Sequence, residues 1–286
     1  MKLRAAIACC VAVMIASVMR AAGEAQETVV LIHGLGRTKL SMLRLAWRLE
    51  REGYRVLNLS YPSRTASLET LAQHWLPREL ASVAQAGTAA APGGSTVAPQ
   101  AEKPLGRPSH APRIAGGLHF VTHSMGGIIL RLWLRDHAAP PNLGRIVMLA
   151  PPNAGSEVSD KLNAFRPFRW FTGINGRRLG TGSESLPTRL GPWRDDQGEL
   201  GVIAGDRSLN PLFSAWLPGA DDGKVAVAAT HLAGERAHRV LPHSHTWLAW
   251  RADTLDNVSA FLQTGSFLAP SSDPARQKRL ATALTP

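Results

Sequence analysis

The chain has 286 residues and a formal net charge of +11, with 32 Lys and Arg against 21 Asp and Glu. This length is sufficient for one large domain, and a content of 44% hydrophobic and 19% charged residues is typical of globular proteins. Two cysteines argue against a disulfide scaffold and a cysteine-based zinc site. The arginines are scattered without a basic run, which argues against nucleic-acid binding and favours a basic surface suited to peripheral contact with anionic membranes.

The first 25 residues have the pattern of a secretory signal peptide. Lys2 and Arg4 precede an apolar stretch at 5–19, and small residues follow it up to Ala25. The apolar stretch is shorter than the roughly 20 residues that a membrane-spanning helix needs. Arg20 is unusual just before a cleavage site, so a retained anchor is the alternative. The sequence therefore predicts a periplasmic or secreted protein if the segment is cleaved, and a membrane-anchored protein if it is kept.

Short apolar runs bounded by turn residues predict strands. They are nearly continuous rather than alternating, which is typical of strands buried on both faces of a sheet. A further strand is predicted at 239–241, and residues 225–229 are a candidate for a short extra strand. The main runs are Val29–Ile32, Val56–Leu59, Leu118–Val121, Ile146–Leu149 and Leu200–Ala204.

Amphipathic stretches between these runs predict helices. In the stretch Ile128–His137 the apolar residues share one side of the predicted helix, and Arg131 lies on another side. Alternation of strands and helices predicts an α/β fold, with a mostly parallel, doubly wound sheet of about six strands that helices cover on both faces. The helical stretches are Leu40–Arg51, Leu68–Val83, Ile128–His137 and Ala252–Phe261.

Two segments interrupt the alternation within the single domain predicted for residues 26–286. Residues 86–114 are rich in Ala, Gly, Pro and Ser, which predicts a disordered surface insertion. Residues 153–198 mix aromatic residues with Gly and Arg, which predicts a small, ordered but irregular cap over the carboxyl ends of the strands. The aromatic residues of this segment are Phe165, Phe168, Trp170, Phe171 and Trp193.

The strand at 118–121 runs directly into a segment, Thr122 to Gly127, that has the features of a nucleophile elbow. A catalytic serine needs a sharp turn between a strand and a helix, with small residues two positions before and after it. Gly126 fits the second of these positions, whereas Thr122 stands where the G-x-S-x-G pattern has glycine. Ser124 is therefore the candidate nucleophile.

The first strand ends in a second turn that can serve the same serine. His33 and Gly34 precede Leu35 there, and a glycine at this point lets a backbone amide face the nucleophile. The amides of Leu35 and Met125 would then form an oxyanion hole. We expect the imidazoles of His33 and His123 to support the structure rather than to act as bases.

A serine nucleophile needs a base, and the base needs a carboxylate to orient it. Both should follow later strands, the acid before the histidine. Asp206, directly after the strand at 200–204, is an alternative for the acid, but Asp222 is favoured because Asp-Gly places the side chain on a tight turn. His245 is favoured as the base because it is closest to the start of the last helix, and His243 is the alternative.

Taken together, these segments resemble the α/β-hydrolase superfamily, and within it the bacterial lipases and esterases. The resemblance covers the core from about residue 28 to 267. The resemblance implies that Asp222 is the acid and His245 the base. The sequence departs from the family pattern at Thr122, which stands in place of glycine. The matching segments are Val30–Gly36, Val121–Gly127, Met148–Ser156, Asp221–Val225 and Ser244–Thr246.

The activity that this resemblance implies is hydrolysis of carboxylic esters through an acyl-enzyme on a Ser-His-Asp triad. The expected substrate is an ester or lipid-like small molecule whose acyl chain lies under the aromatic cap, and no cofactor, metal or nucleic acid is expected. The same residues could serve a thioesterase, an amidase or an acyltransferase. A binding protein without catalysis, on a hydrolase scaffold, is the alternative from another class.

Overall fold

The computed structural model describes residues 26–89, 116–163, 165–183 and 185–269. The predicted signal peptide or anchor at 1–25 lies outside the described residues, and so does the predicted insertion from residue 90 onward. Residues 86–89, which were predicted to belong to that insertion, instead end a helix. Within the described ranges, no helix is both long enough and apolar enough to cross a membrane.

Six parallel strands form one open sheet, as the sequence predicts. The order across the sheet is β2-β1-β3-β4-β5-β6, so the chain first moves outward from β1 to β2 and then returns to build the other side. Such a reversal is the topological switch point of a doubly wound sheet, beside which ligands bind at the carboxyl ends of the strands. The strands are β1 Thr28–Ile32, β2 Arg55–Leu59, β3 Leu118–His123, β4 Leu143–Leu149, β5 Leu200–Gly205 and β6 Ala237–Leu241.

Helices connect the strands, and the four predicted helical stretches are all helical. The second is built in three pieces, because a π-helical turn at Leu71–Trp75 joins its two α-helical parts, α2 and α3. Short 3-10 turns lie at Lys39–Met42, Asp195–Gln197 and Leu248–Trp250. The α-helices are α1 Leu43–Arg51, α2 Leu68–Thr70, α3 Leu76–Ala89, α4 Met125–Asp136, α5 Glu157–Asn163, α6 Arg166–Gly176, α7 Leu186–Arg189, α8 Pro211–Ser214, α9 Val227–Thr230 and α10 Ala252–Thr264.

Two hydrophobic clusters lie on opposite faces of the sheet, because successive strand side chains point to opposite sides. Val30 and Ile32 of β1 pack with α2, α3 and α4 on one face. Val29 and Leu31 pack with α1 and α10 on the other. All residues of β1, β3 and β5 are buried, so the continuous apolar runs at these strands are explained by helices on both faces.

Two predictions about strands need correction. The edge strands β2 and β6 are only partly buried, because a strand at the edge of a sheet lacks a neighbour on one side. The extra strand at 225–229 is absent: Ala226 makes only an isolated bridge to Asp221, and the chain then turns into α9. An alternation of Val and Ala over so few residues is compatible with either structure.

The segment 153–198 is more regular than predicted. Its described residues contain α5, α6 and α7 as well as the 3-10 turn at Asp195–Gln197. Arg131 of α4 is buried against this segment, although the sequence pattern placed it away from the apolar side of its helix. The guanidinium donates to the backbone oxygens of Asn153 and Gly191 at 3.1 Å and 2.7 Å, and burial lowers the pKa of Arg131 to about 10. These hydrogen bonds join the segment 153–198 to α4, the helix that begins directly after Ser124.

Candidate active site

Ser124 lies in the sharp turn between β3 and α4, at the carboxyl end of a central strand. Its backbone has φ +54° and ψ −124°, a conformation that a residue with a side chain rarely adopts. Such strain costs on the order of 1–3 kcal/mol and persists only where the surrounding structure enforces it. Here the Ser124 amide donates to Leu149 O of β4 at 2.8 Å, and Gly127 donates to Ser124 O at 3.0 Å.

Close backbone contact explains the small residue two positions after the serine. A Cβ atom at Gly126 would lie 2.4 Å from the carbonyl oxygen of Ile32, at the end of β1. The helix that follows the serine can therefore approach β1 only with glycine here. Thr122, at the position where the pattern has glycine, is fully buried in β3, and its Oγ1 has no hydrogen-bond partner among the described residues.

Three side chains from three different loops form a hydrogen-bonded chain at this edge of the sheet. His245 Nε2 lies 3.0 Å from Ser124 Oγ, and His245 Nδ1 lies 2.7 Å from Asp222 Oδ2. A neutral imidazole has one donor and one acceptor nitrogen. With the proton on Nδ1, the ring donates to the carboxylate and can accept the hydroxyl proton of Ser124.

The Asp222 carboxylate is held on both of its oxygens. While Oδ2 accepts from His245, Oδ1 accepts from the backbone amides of Lys224 at 3.0 Å and Val225 at 2.9 Å. The backbone of His245 also donates to the backbone oxygen of Asp222 at 2.9 Å. The turn predicted from Asp-Gly therefore fixes the carboxylate, and it fixes the loop of the histidine as well.

The alternative acid and base lie elsewhere. Asp206 is exposed after β5, and its side chain has no hydrogen bond to another described residue. His243 is buried, but its Nε2 lies 2.7 Å from Asp253 at the start of α10, so this pair ties the loop after β6 to the last helix. The structure thus brings Asp222 and His245, rather than these alternatives, to Ser124.

His33 and His123 support the backbone around the three side chains, as expected. His123 is buried, its Nε2–H donates to the backbone oxygen of His245 at 3.0 Å, and burial followed by the charge of His245 lowers the pKa of His123 well below its ordinary value. His33 donates from Nδ1 to Gly34 O at 2.9 Å and stacks on Tyr61 with ring centroids 4.1 Å apart. Burial lowers the pKa of His33 too.

The loop after β1 presents a free amide beside the serine. A Cβ at Gly34 would lie 3.0 Å from Ser124 Cβ, so this loop approaches the serine closely. Arg37 N donates to Gly34 O at 3.2 Å, which closes a turn around Leu35. The amides of Leu35 and Met125 donate to no other described residue; Met125 opens α4, where the first amides of a helix lack an intrahelical acceptor. Both remain available for an anionic oxygen.

A cavity of about 270 Å³ opens beside Ser124 and His245. Apolar side chains from the segment 153–198 and from the loops after β5 form much of its wall. Of the residues at 165–171 that suggested contact with an acyl chain, Phe165 and Trp170 are exposed and do not line the cavity. Trp193, the other described aromatic residue of the predicted cap, is buried in the core and does not line it either. The apolar wall consists of Leu35, Val158, Leu179, Phe213 and Val225.

Two basic side chains also line this cavity. Arg37 lies two residues after Leu35 in the loop after β1 and donates from Nη2 to Oγ1 of Thr246, the residue after His245, at 2.9 Å. Lys224 belongs to the Asp222 turn and points into the cavity, where water still reaches it although protein surrounds it. Burial, followed by the charge of Arg37, lowers the pKa of Lys224 against the attraction of Asp222. Neither residue is among the site residues that the sequence predicts, although each lies within two positions of one of them, Leu35 or Asp222.

One cluster among the described residues has the side-chain types that bind metals. The ligand atoms of His231, Glu235 and His238 lie within 4.8 Å of one another. Each already has a partner: His231 Nδ1 lies 2.7 Å from Glu235, and His238 Nε2 lies 2.8 Å from Thr230 Oγ1. The two imidazole rings stack with centroids 3.7 Å apart, so their in-plane lone pairs run side by side rather than converging on one ion. None of the three lines the cavity at Ser124.

Comparison with known proteins places this architecture in a family. The model of the alpha/beta hydrolase family matches residues 29–284. The mature form of the lipase BlEst2 from Bacillus licheniformis is similar in structure, with a TM-score of 0.60 and 15% sequence identity over 85% of this chain and 93% of that chain. Phospholipase PlaB from Legionella pneumophila has a TM-score of 0.53 and 20% identity over 72% of this chain and 46% of that chain. No curated protein matches the sequence.

Proposed function

The chain belongs to the alpha/beta hydrolase family, and from this premise we propose that it is a serine hydrolase that cleaves carboxylic esters. Membership of the family supports hydrolase activity in general. The observation that carries the narrower proposal is the continuous hydrogen-bonded chain from Ser124 through His245 to Asp222, with distances of 3.0 Å and 2.7 Å. A serine, a histidine and a carboxylate in this order form the arrangement that activates a hydroxyl for acyl transfer.

In the first half of the proposed reaction, Ser124 attacks the carbonyl carbon of the ester. His245 Nε2 takes the hydroxyl proton as the Oγ–carbon bond forms, and the Asp222 carboxylate stabilises the resulting imidazolium. The carbonyl oxygen becomes an oxyanion that accepts from the amides of Leu35 and Met125, which have no other described acceptor. The bond to the alcohol oxygen then breaks, and His245 returns its proton to that oxygen.

In the second half, water replaces the alcohol. His245 removes a proton from the water as its oxygen attacks the acyl carbon of the acyl-enzyme. The same amides hold the second oxyanion, and collapse of this intermediate releases the carboxylic acid while Ser124 regains its proton. Ser124, His245 and Asp222 return to their starting protonation states, so the cycle needs no redox partner.

The cavity supports an ester with an apolar acyl portion. Leu179, Val158 and Phe213 provide aliphatic and aromatic surface beside Ser124, and burial of each methylene group of an acyl chain contributes about 0.8 kcal/mol. A volume of about 270 Å³ fits a short or medium chain better than a long one. This wall favours an ester hydrolase over a binding protein without catalysis, because it adjoins a serine whose base is already in place.

The test is hydrolysis of aryl esters with acyl chains of increasing length by the purified full chain. We expect turnover in the wild type, a loss of at least about 10³-fold in Ser124→Ala, and normal turnover in the control Ser41→Ala, whose hydroxyl lies outside the cavity. Equal rates for wild type and Ser124→Ala would refute the proposal. Parallel assays with aryl thioesters, anilides and an added alcohol acceptor would distinguish a thioesterase, an amidase and an acyltransferase.

A further inference from the structure

Two basic side chains, Arg37 and Lys224, line the cavity at Ser124, and no described carboxylate forms an ion pair with either. Among the described residues, neither Arg37 nor Lys224 forms a salt bridge with Asp or Glu. Within the described part of the chain, Arg37 makes one side-chain hydrogen bond, to the neutral hydroxyl of Thr246, which leaves most of its five N–H donors without an acceptor there. Asp222 attracts Lys224, but both of its oxygens are occupied by His245 and by two backbone amides.

The charges in this part of the cavity do not balance. Arg37 and Lys224 line the cavity together with no Asp or Glu among its described lining residues, and the carboxylate of Asp222 lies behind the ring of His245, so the lining carries an excess positive charge. Arg37 and Lys224 line the same cavity and repel each other, and a bound anion would compensate for this repulsion. A group with anionic oxygens would also satisfy the free donors of the guanidinium.

Both cations lie on the histidine side of the site. Arg37 bonds to the residue that follows His245, and Lys224 belongs to the turn that holds Asp222 against the imidazole. Since His245 gives its proton to the departing alcohol oxygen, the alcohol portion of the ester must lie on this side. The apolar residues Val158 and Leu179 line the same cavity and offer a surface for the acyl portion.

We propose that Arg37 and Lys224 form an anion subsite, and that the substrate is an ester whose alcohol portion carries a phosphate or carboxylate group. This inference rests on the proposed esterase activity and narrows it to one substrate class. Both groups present charged oxygens that can accept from a guanidinium and an ammonium together. An acyl ester of glycerol phosphate and an acyl ester of a hydroxy acid have this chemistry in common.

The experiment compares esters matched in acyl chain and differing in charge. One pair is 1-octanoylglycerol 3-phosphate with 1-octanoylglycerol, and the second is 3-octanoyloxybutanoate with sec-butyl octanoate. We expect the wild type to have a kcat/KM at least about tenfold higher for the anionic member of one or both pairs, because a hydrogen bond to a charged group contributes about this factor. A preference in the first pair alone identifies phosphate, and one in the second alone identifies carboxylate.

Substitutions link the preference to the two residues. In Lys224→Met and in Arg37→Met, the ratio of kcat/KM for the anionic and neutral esters should fall about tenfold. Lys39→Met removes a charge from the exposed residue two positions after Arg37, outside the cavity, and should leave the ratio and the activity unchanged. An equal fall in Lys39→Met would assign the preference to the net charge of the protein and overturn the subsite.

Inhibition gives a second measurement that does not depend on turnover of these esters. Glycerol 3-phosphate or 3-hydroxybutyrate should inhibit hydrolysis of p-nitrophenyl butyrate by the wild type competitively, and about tenfold more weakly in Lys224→Met. If p-nitrophenyl butyrate is hydrolysed through Ser124 but neither pair shows a preference and neither anion inhibits, the subsite is refuted and the esterase proposal stands. If no ester is hydrolysed, both are refuted.

Discussion

Replacing Asp222 by asparagine tests the geometry around His245 with a minimal change in shape. The two backbone amides of Lys224 and Val225 require an acceptor at Oδ1, so the amide oxygen of the new side chain must occupy that position. Its NH₂ group then faces His245 Nδ1 at the place where Oδ2 lies 2.7 Å away. The imidazole must respond by moving its proton to Nε2, which leaves no acceptor for the hydroxyl of Ser124.

The structure sets the size of this effect. Asp222 and His245 are 2% and 4% exposed, so water does not replace the lost contact. A hydrogen bond to a charged group contributes about 1.5–3 kcal/mol, and returning the ring to the reactive tautomer with Nδ1–H, which places two buried donors against each other, costs a further 1–3 kcal/mol or so. The barrier should therefore rise by about 3–6 kcal/mol, equivalent to a loss of about 10²–10⁴-fold in kcat for an aryl ester.

The matched control for this substitution is Asp206→Asn. Asp206 also follows β5 but is exposed, so the activity of the Asp206→Asn variant should stay within about twofold of that of the wild type. Stopped assays with p-nitrophenyl butyrate, together with circular dichroism to check folding, suffice for the comparison. Retention of more than about a tenth of the activity in Asp222→Asn, or a large loss in Asp206→Asn, would refute the assignment of the acid.

Three further predictions follow from other parts of the molecule. Gly126→Ala should destabilise the fold by about 2 kcal/mol or more and abolish ester hydrolysis, since the added Cβ would lie 2.4 Å from a backbone oxygen. The control Gly182→Ala, whose Cβ would have no atom within 4 Å, should leave stability unchanged, and urea unfolding measures both variants. Burial, followed by the charge of His231, lowers the pKa of His238 to about 4. Folding therefore favours the neutral ring, and this contribution to the free energy of unfolding is present in full above pH 6.5. As pH falls towards 4, the wild type should lose about 1–2 kcal/mol of it, since the side chain is partly exposed. His238→Gln should lose less stability over the same pH range, and an equal loss in both proteins would refute the assignment. Trp170 on α6 is 79% exposed, so Trp170→Ser should weaken binding to anionic vesicles if the basic surface contacts membranes, and unchanged co-sedimentation would contradict this contact.

The central strands could be predicted from the sequence because their pattern is a direct consequence of burial. Residues of β1 and β5 contact helices on both faces, so every position is apolar or small. The same pattern does not indicate where the sheet ends. The partial exposure of β2 depends on its lack of a further neighbour, and only the assembled sheet determines this.

The position of the serine and its loop could also be predicted, because the turn after β3 needs a local combination of small residues. The sequence distinguishes less well between Asp222 and Asp206, because both follow β5 and the decisive difference is three-dimensional proximity to His245. The Asp-Gly turn was the useful local signal, because the Asp222 carboxylate accepts from the amides that follow it in that turn.

Arg131 and Lys224 show what local patterns do not contain. Arg131 has polar spacing on α4, yet it is 5% exposed because the segment 153–198 covers that side of the helix. A helical pattern cannot indicate cover from a segment far along the chain. Lys224 resembles an ordinary surface lysine in a turn, and its place in the cavity follows only from the way this turn folds towards His245.

The most direct test of the central claim is covalent labelling of the nucleophile. A p-nitrophenyl alkylphosphonate should transfer one phosphonyl group to the wild type and release one equivalent of p-nitrophenolate, and peptide mapping by mass spectrometry should place the group on Ser124. Labelling should be lost in Ser124→Ala and slowed at least about 10²-fold in His245→Ala, which removes the base at 3.0 Å. Labelling at a different residue, or unchanged labelling of Ser124→Ala, would contradict the assignment of Ser124 as the nucleophile.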